Sequence, residues 1–333
     1  MRQPPPSIDR KVAFLRQRCG PGDAAIETHF AWIFLLGDRA WKLRKPVRRE
    51  GMDYSTLDAR RFGSFEEVRL NRRLAPDVYL HASPLMLRPD GQLEIDGDGE
   101  VVDWLVCMRR LDRRRQLDAL LSHAEVSDAG LDRIAHVLAT FYRAGRTGLP
   151  GAEALSERLL RQADRNHRVL RMAELPDATE LCDSQRRFLD LHEALLMARV
   201  EAGCIVEGHG DLRPEHVFLL GDAPPVVLDC LEFDRDLRVL DRAEELCFLE
   251  LECARLGHGA AGARIRATCL ADLADEAPAT LLDFFRSHRA ATRAKLYVWR
   301  ADEPDGVDPS HWRRQAVAYA SLALESVRRA LSP

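Results

Sequence analysis

The chain has 333 residues, 46% apolar and 31% charged, enough to bury a core in one large domain or two smaller ones. A formal net charge of −4 argues against a dedicated nucleic-acid binder, which carries a basic excess. No long apolar run marks a membrane span, MRQPPPSIDRKVAF lacks a signal-peptide core, and the eight cysteines form no CxxC pair, so a reduced, cytoplasmic protein without a disulfide or zinc framework is expected.

In chain order, ETHFAWIFLLGDRAWKLRKPV (27–47) predicts a β-hairpin turning at Gly37–Asp38. Strand alternation sets Ala40 and Lys42 on one face, Trp41 and Leu43 on the other. TLDARRFGSFEEVRLNRRL (56–74) predicts a helix with Phe65, Val68 and Leu70–Leu74 as apolar points, ended by Pro76. VYLHASPLMLR, LEIDGDGE and VVDWLVCMRRL follow as strands, so residues 1–110 read as a small sheet with one helix. Residues 114–203 are helical in pattern, with a cap at Ser127–Asp128 and breaks at TGLPG (147–151) and LPDA (175–178). VFLL-GDAPP-VVLDC predicts a second hairpin, and about 241–330 returns to helix. A β-rich part followed by a larger helical part predicts two lobes with a ligand cleft between them.

VEGHGDLRPEHVFLL (206–220) puts a histidine, an aspartate, an arginine and a second histidine within eight residues, just before an apolar run. The hairpin that follows is expected to return Asp229 beside His216 and near Asp211. Two carboxylates at one hairpin end suit a hard cation such as Mg²⁺, with phosphate oxygens completing its shell. Only four of the 49 basic residues are lysine (Lys11, Lys42, Lys45 and Lys295), and two of them share AWKLRKP, which marks that segment as a place where a compact ammonium is needed.

HGDLRPEH (209–216) resembles the catalytic loop of protein-kinase-like enzymes, H-R-D-L-K-P-x-N. Its HGD form is similar to the aminoglycoside phosphotransferase family, as are ETHFAWIFLLGDRAWKLRKPV, FEEVRLNRRLAPDVYL and LDCLEFDRDLRVLD in the same order. The resemblance implies an α+β, two-lobed protein-kinase-like fold: a small β-rich N-lobe with one helix over 1–110, and a larger, mainly helical C-lobe over 111–333 carrying catalytic loop 209–216 and metal-binding hairpin 217–232. It further implies that Asp211 receives or orients the proton of the attacking hydroxyl and that Arg213 stabilises the transferring phosphoryl. By the same resemblance Asp229 would hold Mg²⁺, Lys42 would contact the α- and β-phosphates, and Glu67 would fix Lys42. The resemblance also implies that Ala40 lines the nucleotide pocket and that the hinge WLVCMRRLD, at Met108 and its neighbours Cys107 and Arg109, meets adenine. Phosphoryl transfer needs positioning and charge neutralisation, which these residue types supply.

Alternatives stay open at several positions. Lys45 competes with Lys42 and Glu66 with Glu67, while strand phase favours Lys42. Glu232 reads as a metal contact or a loop cap, His209 as a residue bonding the loop backbone, and Asp241 and Glu245 as capping and structural residues. Arg286, Arg289, Arg293 and Arg300 read as a basic stripe for an anionic substrate or as a solvated helix face. His216 stands in the slot of the asparagine that binds a second Mg²⁺, so one principal metal, or better tolerance of Mn²⁺, is expected. No glycine-rich phosphate loop is present, and GHGAAGAR (257–264) lacks the Lys-Ser/Thr pair of the P-loop domain that relatives often carry.

The leading expectation is a phosphotransferase that uses ATP (or GTP) with Mg²⁺ to phosphorylate a hydroxyl of a small molecule, with no nucleic-acid or membrane partner. A nucleotide-binding pseudokinase is the second. A metal-dependent hydrolase using His209, Asp211 and His216 is the third, and it leaves Lys42 and Glu67 without a task. No motif specifies the acceptor or the oligomeric state.

Overall fold

The computed structural model describes residues 5–20, 24–49, 51–145, 152–302 and 308–332. The expected break at TGLPG lies outside them. The chain divides into two compact units, Met1–Ala119 with His216–Leu237, and Leu120–Glu215 with Arg238–Pro333.

The first unit opens with α1 (Ile8–Arg16), capped by Ser7, which accepts the Arg10 N–H. Then come β1 (Ala24–Glu27), β2 (Ala31–Leu36), β3 (Arg39–Arg44), the two-residue strands β4 (Arg48–Arg49) and β5 (Met52–Asp53), and α2 (Leu57–Asn71). β6 (Tyr79–Leu87), β7 (Leu93–Ile95) and β8 (Glu100–Arg109) complete an antiparallel sheet of order β1-β2-β3-β8-β6-β7. Gly37, at φ +58°, makes the tight β2–β3 turn in a conformation that favours glycine. Alternation along β3 sends Ala40 into a cluster with Val68, Tyr79, Val106 and Met108. Leu43 goes to the opposite face, with Phe34, Leu105 and the α1 residues Val12 and Leu15. The helix α1 is an addition to the elements read from sequence; Lys11 fixes it, its Nζ 2.8 Å from the buried carboxylate of Asp103.

Helix α2 departs from its apolar reading. It ends at Asn71, several residues before Pro76, and Phe65 is exposed and set edge-on to Trp104. The buried face instead carries Arg60, Gly63, Ser64, Glu67 and Asn71 at helical spacing, beside Val68 and Leu70. The second hairpin is shorter than expected, β10 (Val217–Phe218) with β11 (Val226–Val227). It groups with the first unit, unlike the boundary at residue 110 read from sequence, because its backbone bonds there: Leu219 N–H to Arg115 O, and Cys230 N–H to the Asn71 side chain.

α3 (Leu117–Ser122) carries the chain into the second unit. There follow α4 (Asp128–Ala144), capped by Ser127, then α5 (Ala152–Met172), α6 (Ala178–Leu191), α7 (Glu193–Glu201) and β9 (Ile205–Glu207). β12 (Val239–Asp241) pairs antiparallel with β9 and leads into α8 (Arg242–Arg255), α9 (Gly259–Asp272), α10 (Ala279–Ala301) and α11 (Pro309–Ala330). Ala290, Ala291 and Ala294 of α10 share a core with Ala316, Ala320 and Ala323 of α11, small side chains that let the helix backbones approach. A buried ionic cluster closes the base: Arg199 pairs with Asp241 and Asp275, and Arg242 with Asp275. All eight cysteines are free, and no helix among the described residues is long and apolar enough to cross a membrane.

Of the α10 arginines, Arg286, Arg289 and Arg293 turn toward α8, and Arg300 is exposed. Arg286 pairs with Glu250, Arg289 with Glu244 and Arg293 with Glu252, all from α8, while Arg300 stacks 4.0 Å from the Trp312 ring centroid. Phe284 is fully buried and stacked on Phe188, ring centroids 4.3 Å apart and planes 7° from parallel. Phe284→Ala is expected to cost about 3–5 kcal/mol, read as a lowered urea midpoint at unchanged slope.

Candidate functional site

In the first unit, β3 carries Lys42 on the face of Ala40. Its Nζ lies 2.9 Å from Glu67 Oε1 and 3.0 Å from Asp229 Oδ1. The competing residues lie elsewhere: Lys45 pairs with Glu27 over the Trp32 ring, and Glu66 with Arg69. Burial works against the Lys42 charge, but Asp229, Glu67 and Glu232 outweigh it and hold its pKa well above the ordinary lysine value. The ammonium is therefore permanent at neutral pH.

Glu67 has no exposure to solvent, and its second oxygen receives Arg44 Nη2 at 2.5 Å. The same nitrogen reaches Glu232 Oε1 at 2.6 Å, and Tyr54 OH donates to that oxygen at 2.7 Å. The structure thus sets Glu232 in a buried network. Arg44 and Tyr54 escaped the sequence reading; the available signal for Arg44 was its place two residues beyond Lys42 on the same strand face.

Asp229 occupies the left-handed region at φ +65°, a conformation that aspartate tolerates better than most residues. Two backbone bonds hold it there: Asp229 N–H to Tyr79 OH at 3.2 Å, and Cys230 N–H to Asn71 Oδ1 at 2.9 Å. Burial, with Glu67 and Asp229 nearby, pushes the Tyr79 phenol well up, so it stays neutral. His216 Nε2 lies 3.8 Å from Asp229 Oδ2, and the His216 carbonyl accepts the Leu228 N–H. Ala40 and Met108 are direct cross-strand partners in one apolar cluster, with Leu228 packed against it.

The Asp229 side chain is 52% exposed and offers hard oxygen donors. No group of three His, Cys, Asp or Glu residues among the described residues is placed to hold a metal ion. Mg²⁺, the metal implied by the resemblance, is commonly held by one or two carboxylates with phosphate oxygens and water, and Asp229 fits that arrangement.

In the second unit, the loop from Gly208 to Glu215 is built around the buried carboxylate of Glu245 on α8. Glu245 accepts the N–H groups of His209 at 3.0 Å and Gly210 at 2.5 Å, and Tyr142 OH at 2.8 Å. Burial pushes the Glu245 carboxyl up against the pull of those donors. A side chain at Gly208 would place its Cβ 2.7 Å from Glu245 Oε2, and Gly210 sits at φ +88°. Both glycines of the loop are therefore dictated by geometry. His209 is fully buried and its Nδ1 accepts the Asp211 N–H at 3.3 Å, a structural task within the loop. Arg213 lies 3.2 Å from Asp211 Oδ2 and 2.6 Å from Glu215 Oε1. Burial opposes the Arg213 charge, and Asp211 and Glu215 more than restore it. Arg289 donates to the Gly210 carbonyl at 3.2 Å while paired with Glu244.

No family model matches the chain. Among curated proteins, an uncharacterized protein of Mycobacterium tuberculosis, Rv2004c, is 34% identical over 278 residues, 81% of this chain and 53% of that protein. A protein of Mycobacterium bovis, Mb2027c, matches to the same extent. The chain spans about half the length of these relatives. Among solved structures, choline kinase from Cryptosporidium parvum Iowa II superposes with a TM-score of 0.54 at 10% identity, over 97% of each chain. A mutant aminoglycoside 2′-phosphotransferase-IIIa in complex with GDP gives 0.52 at 14% identity, over 97% of this chain and 98% of that one. The chain has the protein-kinase-like fold.

Removing the Glu245 carboxylate leaves two backbone N–H groups and a phenol without their acceptor. Glu245→Ala is expected to cost about 3 kcal/mol or more, and Tyr142→Phe about 1 kcal/mol, measured by denaturant unfolding.

Proposed function

We propose that this protein-kinase-like chain is a phosphotransferase of the aminoglycoside phosphotransferase family, moving the γ-phosphoryl group of ATP or GTP to a hydroxyl of a small molecule. The observation that carries the reading is the Lys42 ammonium held between buried Glu67 and half-exposed Asp229. A buried lysine at a structural site needs one carboxylate; here the second is exposed and available to a ligand.

In this reading Ala40 and Met108 line the slot for the purine, and Lys42 turns its ammonium toward the α- and β-phosphates. Asp229 holds Mg²⁺, which supplies neutralisation of charge on the β- and γ-phosphates when bound. Asp211 orients the acceptor hydroxyl and takes its proton, and Arg213 faces the charge on the transferring group. Glu67 keeps Lys42 aimed. His216, in the place of a second oxygen donor, would leave the site with one principal metal, or with better tolerance of Mn²⁺. The mycobacterial relatives, about half of whose length the chain spans, leave the activity of a longer assembly as part of the same proposal.

Calorimetric titration with ATP and GTP in Mg²⁺ tests the reading. Asp229→Ala is expected to weaken metal-dependent binding by about 10-fold or more. Asp211→Asn is expected to retain binding and lower transfer to a hydroxyl acceptor by about 10²–10⁴-fold. Absence of nucleotide binding with either Mg²⁺ or Mn²⁺ rejects the proposal. Binding without transfer to any acceptor assigns the chain to the nucleotide-binding regulatory class instead.

A further inference from the structure

The two oxygens of Glu67 meet two different cations, Lys42 Nζ at Oε1 and Arg44 Nη2 at Oε2. Lys42 has a half-exposed second partner in Asp229, whereas Arg44 is shut in, with a side-chain exposure of 1%. Besides Glu67 and Glu232, the Arg44 Nη2 meets Gly63 O at 2.9 Å. Tyr54 lies beneath the guanidinium, 5.1 Å from ring centroid to Cζ, and donates to Glu232. A single side chain thus links β3, helix α2 and the segment that begins at Asp229.

Resting on the phosphotransferase reading, we propose that Arg44 is a positioning residue: it keeps the Glu67 charge answered when Lys42 turns to phosphate, and through Glu232 it tethers the segment that presents Asp229. The physical need is plain. With Lys42 as its one cation, Glu67 would be left as an unpaired buried carboxylate whenever the ammonium engaged a nucleotide, a strongly unfavourable state. A guanidinium keeps its charge when buried and lies flat against an aromatic ring, as Arg44 does over Tyr54, and a compact ammonium reproduces neither property there. Burial opposes the Arg44 charge, and Glu67 and Glu232 outweigh it, so the cation is never lost.

Helix α2 gives an independent sign of the clamp. Gly63 stands in the interior of a 15-residue helix, where glycine is a weaker helix former than alanine. A Cβ there would lie 2.7 Å from the Tyr54 ring and 3.0 Å from Arg44 Nε. The helix accepts a weaker residue so that the Arg44–Tyr54 pair can close over Glu67 and Glu232.

The test compares calorimetric affinities for the Mg²⁺-nucleotide, ATP or GTP, with those for its bare nucleoside, in the wild type, Arg44→Met, Glu232→Gln and the double variant. Each single variant is expected to lower Mg²⁺-nucleotide affinity about tenfold while leaving nucleoside affinity unchanged, and the double variant to lose no more than one of them. Should Arg44→Met not fold, Glu232→Gln and Tyr54→Phe decide alone, with the same loss expected. Wild-type Mg²⁺-nucleotide affinity in the folded variants, or an equal loss for nucleotide and nucleoside, overturns the role of Arg44 and leaves the phosphotransferase reading standing. A wild type that binds no nucleotide overturns both.

Discussion

A carboxylate with no access to water has to be met by cations and donors, and at Glu67 that requirement shapes the first unit. Strand β3 must present two cations from positions on one face, which residues 42 and 44 do by simple alternation. Helix α2 must then bury a polar face, and it does: Ser64, Glu67 and Asn71 point inward while Phe62 and Phe65 lie exposed. Asn71 continues the chain of consequence, because its side chain accepts the Cys230 N–H and its side-chain nitrogen returns a bond to the Glu67 carbonyl. The unusual backbone of Asp229 is held by that same set, with Tyr79 as its second anchor.

The second unit answers the same requirement at Glu245 in a different way. There the donors are mostly backbone N–H groups, so the carboxylate sets the path of the loop rather than the charge of a neighbour. Around it the arginine bias of the chain becomes internal structure. Helix α8, buried from Arg242 to Cys253, supplies Glu244, Glu250 and Glu252 to arginines on α10. His288 sits among them; burial lowers its pKa to about 4, and it stays neutral with Nε2 2.8 Å from Gln162. An interior organised by ion pairs is directional, since each pair is worth little unless its geometry is met.

Local pattern made some of this legible. The β2–β3 hairpin follows from aromatic and β-branched runs around Gly37–Asp38, and strand phase alone separated the Lys42 face from the Trp41 face. The loop HGDLRPEH is readable as a unit because its polar residues are close in sequence. Glu66 and Glu67 were indistinguishable, being adjacent with equal charge; the structure separates them by turning Glu67 inward and leaving Glu66 with Arg69. Arg44 and Tyr54 were invisible as a pair because their shared partner, Glu232, is remote in sequence. Arg286, Arg289 and Arg293 on α10 are illegible for a related reason: their spacing is that of a solvated face, and only α8 packed against them makes that face an interior.

The sequence by itself determined the β2–β3 hairpin, the helical character of the second unit, the fold resemblance and the residue types available for chemistry, since periodicity, turns and short motifs act over a few residues. Tertiary structure alone decided which charges are buried, that α2 turns a polar face inward, and that the hairpin carrying Asp229 groups with the sheet carrying Lys42. The reason is electrostatic. The state and partner of a charged side chain depend on its desolvation and on what stands within a few ångströms, and neither quantity is a property of its neighbours in sequence.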